Sequence, residues 1–106
     1  MPFQHFDHIA ASEPVPGFHG RFVHSDTMTL AYWHIDEGAT LPSHEHPHEQ
    51  ICWVLEGELE LTVGNKRQTM GPGSVAEIAP HVPHAGRAKT ACRVVDVFHP
   101  VREDYQ

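Results

Sequence analysis

The glycines and prolines of this chain cut it into short apolar segments, and this division limits its possible folds more than any other feature. Eight Gly and nine Pro are spread over 106 residues. The segments between them are rich in Val, Thr, Tyr and Trp, which favour strands. No segment keeps a helical apolar periodicity over three turns. Roughly eight to ten short strands, with turns about every 8 to 12 residues, predict an all-β sandwich or barrel.

Three segments give the clearest strand predictions. Residues 20–36 read as two strands with a break near Ser25 and Asp26. In residues 58–63, Leu and Val alternate with Glu and Thr, the period of a half-buried strand, and Gly64-Asn65 then fits a tight hairpin turn. The last strand covers residues 91–99, and Pro100 stops it because proline offers no N–H to a sheet.

The length of the chain corresponds to one domain over residues 1–106, large enough for a core but too small for two domains. We expect a Pro-containing irregular arm over residues 1–19, which closes over another part of the domain. A barrel follows over residues 20–99, with a loop over residues 38–43, and residues 100–106 form a tail.

The charge of the chain limits its partners. A formal net charge of −7 argues against nucleic acid or an anionic membrane as the main partner, because both require a basic surface. A small anionic substrate stays possible where a metal or an arginine supplies local positive charge.

Two further features bear on the compartment. The first ten residues contain neither Lys nor Arg and no long apolar run, so we expect no signal peptide or membrane anchor and a cytoplasmic protein. Cys52 and Cys92 lie in strand-like segments rather than in a spaced framework, and we expect both to stay reduced.

The segment from Ser43 to Gly57 concentrates metal-ligand chemistry. It places His44, His46, His48 and Gln50 within seven residues. In a strand, residues two apart share a face at a separation of about 7 Å, so the imidazoles of His44 and His46 can converge on one ion. The alternative without a metal site is a solvated His-rich loop that precedes a strand.

A third ligand cannot come from a straight strand, since residues 44 to 50 would then span about 20 Å. Pro47 usually marks a bend or break, and a kink there would return Gln50 to the ion and turn His48 aside. Local geometry alone leaves Gln50 and His48 as competing candidates.

The spacing of these residues resembles that of the cupins, small double-stranded β-helix or jelly-roll barrels that usually hold a metal. The first cupin motif lies over Gly38, His44, His46, Gln50 and Gly57 with every spacing kept, and Gln50 stands where the family most often has Glu. The second motif lies over residues 73–88. It ends in the run PHVPH and a following Ala88, and His81 stands where the family usually has a glycine with positive φ.

By position, the resemblance implies the metal ligands His44, His46, Gln50 and His84. Three neutral imidazoles and an amide oxygen would leave the charge of a divalent ion uncompensated by its ligands, which makes it a strong Lewis acid. This ligand set permits Zn, Ni, Fe, Mn or Co.

The run DVFHPVREDY near the C-terminus and the run HPHEQ resemble one cupin subgroup more narrowly, the KdgF-type proteins of pectin and alginate breakdown. That subgroup opens the ring of 4,5-unsaturated monouronates. The resemblance implies that Asp96, Phe98 and Arg102 face the substrate. Cys52, two residues past Gln50, joins Phe98 in the predicted substrate-binding set.

Asp96 and Arg102 are the predicted catalytic residues. Asp96 shares strand parity with Cys92, Val94 and Phe98, so a carboxylate lies within an apolar row. It is either a general acid or base beside the metal, or a structural acceptor for the backbone or for Arg102. Arg102 either binds a substrate carboxylate bidentately or is a solvated charge beside Glu103 and Asp104.

The predicted function is metal-dependent isomerase, lyase or hydrolase chemistry on a small anionic sugar-derived substrate. The alternatives are an iron-dependent cupin dioxygenase and a non-catalytic small-molecule-binding cupin. Val95 and Val97 make the second face of the last strand apolar, which suggests that the arm or a second subunit covers it. Because cupins commonly dimerise, we expect a homodimer.

Overall fold

The computed structural model describes residues 2–106 and consists of two antiparallel sheets that face each other. The larger sheet has the strand order β1-β2-β3-β10-β5-β8, and the smaller has the order β4-β9-β6-β7. Its strands are β1 (Ser12–Val15), β2 (Phe18–His24), β3 (Thr29–Ile35), β4 (Thr40–His44), β5 (Glu49–Glu56), β6 (Leu59–Val63), β7 (Lys66–Met70), β8 (Val75–Ile78), β9 (His84–Ala88) and β10 (Cys92–His99). The all-β prediction is confirmed.

Alternation along β5 and β10 defines the inside of the barrel. In β5 the even-numbered residues from Gln50 to Val54 are buried, while Ile51 and Trp53 are exposed. In β10 the even-numbered residues from Cys92 to Phe98 are buried. The two strands pair directly, with Cys52 opposite Asp96. Successive side chains of a strand point to opposite faces, so the polar residues Gln50 and Asp96 both enter the interior.

The core fills the space between the sheets. Val54 and Val94 are fully buried at its centre. Trp33 packs edge-on against Phe18 and Phe22, with ring centroids 6.1 and 5.4 Å apart. The alternation predicted for residues 58–63 is confirmed, since Leu59 and Leu61 of β6 lie in this core. The breaks predicted near Ser25 and at Gly64-Asn65 also separate strands.

The expectation of an irregular arm over residues 1–19 is wrong for its second half. A short 3₁₀ helix covers Phe6–His8, but β1 then pairs antiparallel with β2, which already begins at Phe18. Pro14 is compatible with β1 because that strand forms an edge of the larger sheet, where one side of the backbone needs no partner.

The loop expected over residues 38–43 is also mostly strand. Residues from Thr40 onward form β4, which pairs with β9 and places His44 opposite His84. Pro42 is again tolerated because β4 is an edge strand, here of the smaller sheet. This correction matters for the site, since it fixes the first predicted ligand on a sheet rather than on a loop.

The tail folds back onto the barrel. A 3₁₀ helix covers Glu103–Tyr105, and the backbone N–H of Arg102 donates to Thr29 Oγ1 at 2.8 Å. The Tyr105 ring stacks on Phe22 at 4.5 Å. Arg102 and Tyr105 of the tail thereby line the cavity between the sheets. Across residues 2–106, no helix is long and apolar enough to cross a membrane.

Candidate metal centre

Three histidines meet where the two sheets come together. His44 ends β4 and His84 begins β9, and their paired register brings the two rings to 4.2 Å. His46 lies in the connection between β4 and β5, with its ring 4.9 Å from that of His84. One ring nitrogen of each histidine lies within 4.8 Å of those of the other two. The structure therefore brings together three of the four predicted ligands as one group.

The backbone determines which nitrogen each ring presents. The Nδ1 atoms of His44, His46 and His84 lie 3.0, 3.1 and 2.9 Å from the carbonyl oxygens of Pro42, His48 and Val82. A carbonyl oxygen can only accept, so each Nδ1 carries the proton and donates. Each neutral ring is thereby left with a lone pair on Nε2, the arrangement typical of metal-binding histidines.

Gln50 supplies the fourth electron pair. Its Oε1 lies 3.2 Å from His46 Nε2. With Nδ1 of His46 protonated, both of these atoms are acceptors, and neither can satisfy the other. A group of convergent acceptors without a donor is satisfied by a cation, so the donor set fits a divalent transition metal. This observation supports Gln50, rather than His48, as the candidate next to the three histidines.

Burial keeps the imidazoles of His46 and His84 neutral. Burial lowers the pKa of His46 from 6.5 to about 4, and the positive charge of Arg102 adds to the effect. Burial likewise lowers the pKa of His84. Neutral imidazole is the form that binds metal, so little proton competition is expected near neutral pH.

The kink predicted at Pro47 is confirmed as the interruption between β4 and β5. It carries the chain from the smaller sheet to the larger one, so that Gln50 re-enters the interior from β5. His48 is turned aside and contributes its carbonyl to His46 instead of its ring. His81 has φ 63°, the positive value that the second motif predicts at this position.

Asp96 lies deeper in the same interior and is only 8% exposed. Trp33 Nε1–H donates to its Oδ2 at 2.9 Å. The amide of Gln50 and the thiol of Cys52 lie beside the carboxyl and act on its pKa as donors, but burial outweighs them and raises that pKa. Among residues 2–106, no donor reaches Oδ1 in good hydrogen-bond geometry. Asp96 is thus a buried carboxyl with one oxygen held and one free to act.

Arg102 is neither solvated nor paired with Asp96. It is 7% exposed, and Asp104 accepts from its Nε at 3.0 Å and from its Nη2 at 2.7 Å. Its guanidinium also lies over the rings of Phe98 and Tyr105, at 4.6 and 4.2 Å. The two alternatives of a solvated charge and an Asp96 partner are therefore wrong. Asp104 contacts the edge of the guanidinium formed by Nε and Nη2, and Nη1 is not part of that edge.

The predicted substrate-binding residues occupy two different places. The Phe98 ring lies 5.7 Å from that of His46, at the metal centre. Cys52 is buried behind it, opposite Asp96, and burial raises the pKa of its thiol well above the ordinary value. Both residues line the same cavity as His44, His84 and Arg102.

The sequence interpretation missed three residues as contributors to the site, of which Trp33 and Tyr105 line this cavity. Trp33 holds Asp96, Asp104 holds Arg102, and Tyr105 packs on the same guanidinium. Only the first left a signal in the sequence, since a buried tryptophan usually finds an acceptor for its N–H. The other two depend on the tail folding back, which no local pattern indicates.

The family follows from this fold and site together with a sequence match. The sequence model of the cupin domain family matches residues 31–98, more than half of the chain. The chain belongs to the cupin family. Cupins commonly bind a metal, and His44, His46 and His84 can hold one in this member.

Solved structures of other cupins resemble the whole chain. A KdgF from Halomonas sp. is 25% identical, with a TM-score of 0.88 over 98% of this chain and 96% of that one. A cupin described as RmlC-like from Shewanella frigidimarina is 24% identical, with a TM-score of 0.94 over 100% and 96% of the two chains. The second likeness supports the fold alone.

Two curated relatives match part of their own length. The H2HPP isomerase of Bacillus subtilis is 34% identical over 76 residues, which cover 71% of this chain and 32% of the relative. The L-ectoine synthase of Nocardia farcinica is 34% identical over 68 residues, which cover 62% and 52%. The chain thus spans about a third of the first relative and about half of the second.

Proposed function

We propose that this protein is a metal-dependent enzyme that opens the ring of small 4,5-unsaturated uronates. The single observation that carries the proposal is the content of one cavity. It is lined by His44, His84 and Gln50 together with the buried carboxyl of Asp96 and the buried guanidinium of Arg102. His46 completes the group of four convergent acceptors for a cation. The similarity to KdgF of Halomonas supports the substrate class.

Ring opening needs only proton transfers. The anomeric hydroxyl loses its proton, its oxygen forms the aldehyde carbonyl, and the bond from the anomeric carbon to the ring oxygen breaks. The ring oxygen becomes an enol, which takes a proton on the neighbouring carbon to give the ketone. No oxidant or reductant is consumed. A bound divalent cation would supply Lewis acidity toward the sugar oxygens.

Asp96 is suited to carry these protons. Burial raises its pKa, so its protonated and ionised forms are closer in free energy at neutral pH than those of an ordinary aspartate. Trp33 holds Oδ2 in place, which leaves Oδ1 to take and return a proton. Proton transfer by such a group contributes about 10²- to 10⁴-fold to a rate.

Arg102 is suited to bind the substrate carboxylate. Asp104 occupies its Nε and Nη2 edge, so the substrate would be contacted through Nη1 rather than by a bidentate pair. The rings of Phe98 and Tyr105, which lie at 70° to each other, both contact the guanidinium. A fixed donor with retained positive charge selects an anionic sugar over a neutral one.

Loss of ultraviolet absorbance tests this function. The conjugated double bond of a 4,5-unsaturated uronate absorbs, and ring opening removes it. We expect metal-loaded protein to accelerate the loss above the spontaneous rate, with and without oxygen. Activity that requires oxygen would instead indicate the cupin dioxygenase alternative. Binding of the uronate without turnover would indicate a non-catalytic cupin.

Asp96→Asn tests the proton-transfer role. The variant keeps the shape of the side chain, so we expect a folded protein whose turnover, compared at equal metal content, falls about 10²- to 10⁴-fold. A melting curve measured alongside separates this effect from lost stability. Turnover close to wild type on a confirmed substrate would reject Asp96 as the acid or base.

We also propose that the protein is a homodimer that uses the outer face of the larger sheet. Ile51 and Trp53 of β5 are each 48% exposed, and Val75 of β8 is 61% exposed. Trp53 lies beside Val75 and Val95 in the sheet, which makes a continuous apolar band. Sedimentation should show a dimer that Trp53→Glu dissociates. A wild-type monomer at all concentrations would contradict this proposal.

A further inference from the structure

The side-chain amide of Gln50 lies between two groups that require different atoms from it. On one side is the unprotonated Nε2 of His46, 3.2 Å from Gln50 Oε1. On the other side, diagonally across the paired strands β5 and β10, is the carboxyl of Asp96, whose Oδ1 has no hydrogen-bond partner among residues 2–106. Gln50 and Asp96 are inward-facing residues of the paired strands β5 and β10, and both are 8% exposed.

An amide placed in this way has two possible orientations, related by exchange of its oxygen and nitrogen. With Nε2 toward His46, the amide would donate to the free histidine nitrogen and block the electron pair that a metal needs. With Oε1 toward His46, that pair and the amide oxygen both stay available. From the histidine side alone, the first orientation is favoured, because it makes a hydrogen bond where the second makes none.

Asp96 reverses this preference. A carboxylate only accepts, so it favours the amide nitrogen and disfavours the amide oxygen. Asp96 is itself fixed, since Trp33 Nε1–H donates to its Oδ2 at 2.9 Å. Cys52 lies directly opposite Asp96 in the neighbouring strand. Asp96 thus keeps one acceptor, Oδ1, without a hydrogen bond among residues 2–106, and an amide N–H of Gln50 turned toward the carboxyl would have an acceptor there.

We propose that Asp96, held by Trp33, is the positioning residue that turns the oxygen of Gln50 toward the three histidines and so makes the centre ready for a metal. The same pairing accounts for glutamine at position 50. An amide offers an oxygen on one side and N–H on the other, whereas a glutamate would place a second carboxylate against Asp96.

This inference rests on the metal centre but not on the substrate or the reaction. It is therefore tested by metal affinity, with Zn²⁺ as the probe and no turnover measurement. Metal-free protein is titrated against a chromophoric chelator for wild type, Asp96→Asn, Gln50→Glu and the double variant. Asp36→Asn, the same chemical change on the surface, is the matched control and should leave the affinity unchanged.

We expect Asp96→Asn to change the Zn²⁺ affinity in opposite directions in the wild-type and Gln50→Glu backgrounds. With Gln50 present, Asp96→Asn puts an amide donor where the carboxylate only accepts, and this frees the Gln50 amide to turn. Zn²⁺ affinity should then fall about 10- to 100-fold, as for other groups that orient a metal ligand. In the Gln50→Glu background, the amide introduced by Asp96→Asn can donate to the introduced glutamate. There the second substitution should tighten Zn²⁺ binding relative to Gln50→Glu alone.

The outcomes distinguish a failure of the positioning role of Asp96 from a failure of the metal centre. An effect of Asp96→Asn in the same direction on both backgrounds would overturn the positioning role and leave the metal centre intact. Absence of Zn²⁺ binding by the wild type would overturn the metal centre itself, and this inference with it. Melting curves of the metal-free proteins show which variants fold. Should Asp96→Asn alone not fold, the comparison of Gln50→Glu with the double variant still decides, since no tightening there overturns the proposal.

Discussion

The histidines at the metal centre and the histidines on the outside of the larger sheet show what turns an imidazole into a ligand. His46 and His84 are buried, their Nδ1 atoms donate to backbone carbonyls, and burial lowers the pKa of both. His19 of β2 faces outward, with its Nε2 3.1 Å from Asp36 Oδ2. The hydrogen bond to Asp36 raises the pKa of His19.

The difference lies in the acceptor. A backbone carbonyl fixes the tautomer without favouring the charged ring, and burial then keeps the ring neutral with one electron pair directed inward. A carboxylate instead stabilises the protonated ring, which has no electron pair for a metal. The chain has eleven histidines, and this difference in acceptor distinguishes His46 and His84 from His19.

The largest expected effect follows from removing two ligands. His44→Ala combined with His46→Ala leaves His84 and Gln50, too few groups to hold an ion, so metal content should fall from about one ion per chain to near zero. Elemental analysis after dialysis measures it. The matched control, His19→Ala combined with His34→Ala on the outer face, should retain the wild-type content. Equal metal content in both double variants would show that the histidines of the two regions do not differ as metal ligands.

The two regions should also respond oppositely to acid. The unfolded chain takes up protons near the ordinary histidine pKa of 6.5, whereas folded His46 does so only near 4. The metal-free protein should therefore lose stability as the pH falls from about 6.5 to about 4, on the order of 1 kcal/mol for this group after solvent screening.

His19 acts in the other direction, because its pKa in the folded protein is raised. Its contribution is present below pH 6.5 and is lost as the pH rises through the raised pKa. Urea unfolding at several pH values in the presence of a chelator tests both signs. His46→Gln should flatten the acid loss and His19→Gln should steepen it. The same change from both substitutions would contradict the assigned environments.

The smallest expected effect is a change in the pKa of His19, which is paired with Asp36 on the outer face. Asp36→Asn removes the carboxylate that is the main cause of the raised pKa of His19, so that pKa should fall toward its ordinary value. Titration of the histidine side chains by NMR measures it. The pKa of His46 should stay unchanged, and a parallel shift at both sites would show that a general field rather than the local partner governs them.

The sequence predicts the strands and the metal ligands because both depend on spacing. Alternation over residues 58–63 and the spacing of His44 and His46 are visible without the fold, and the second motif of the cupin resemblance adds His84. The segments containing Pro14 and Pro42 were misread as irregular, because proline excludes a central strand but not an edge strand, and edge position is a property of the whole sheet.

The hydrogen-bond partners of the polar residues were harder to predict from the sequence. Trp33 and Asp96 are 63 residues apart and meet only because β3 and β10 are neighbours. Arg102 and Asp104 are close in sequence, yet their burial depends on the tail folding back onto Phe98 and Tyr105. Such contacts follow from topology, which the pattern of strands and turns leaves open.

The central claim is that three Nε2 atoms and the oxygen of Gln50 surround one cation. X-ray absorption at the metal edge of Zn²⁺-loaded protein tests it most directly. We expect three imidazole nitrogens and oxygen ligation, all at about 2.0–2.2 Å. The imidazole signal should fall to two rings in His84→Ala and stay at three in His19→Ala. A sulfur neighbour, or a signal of fewer than three imidazoles in the wild type, would contradict the account.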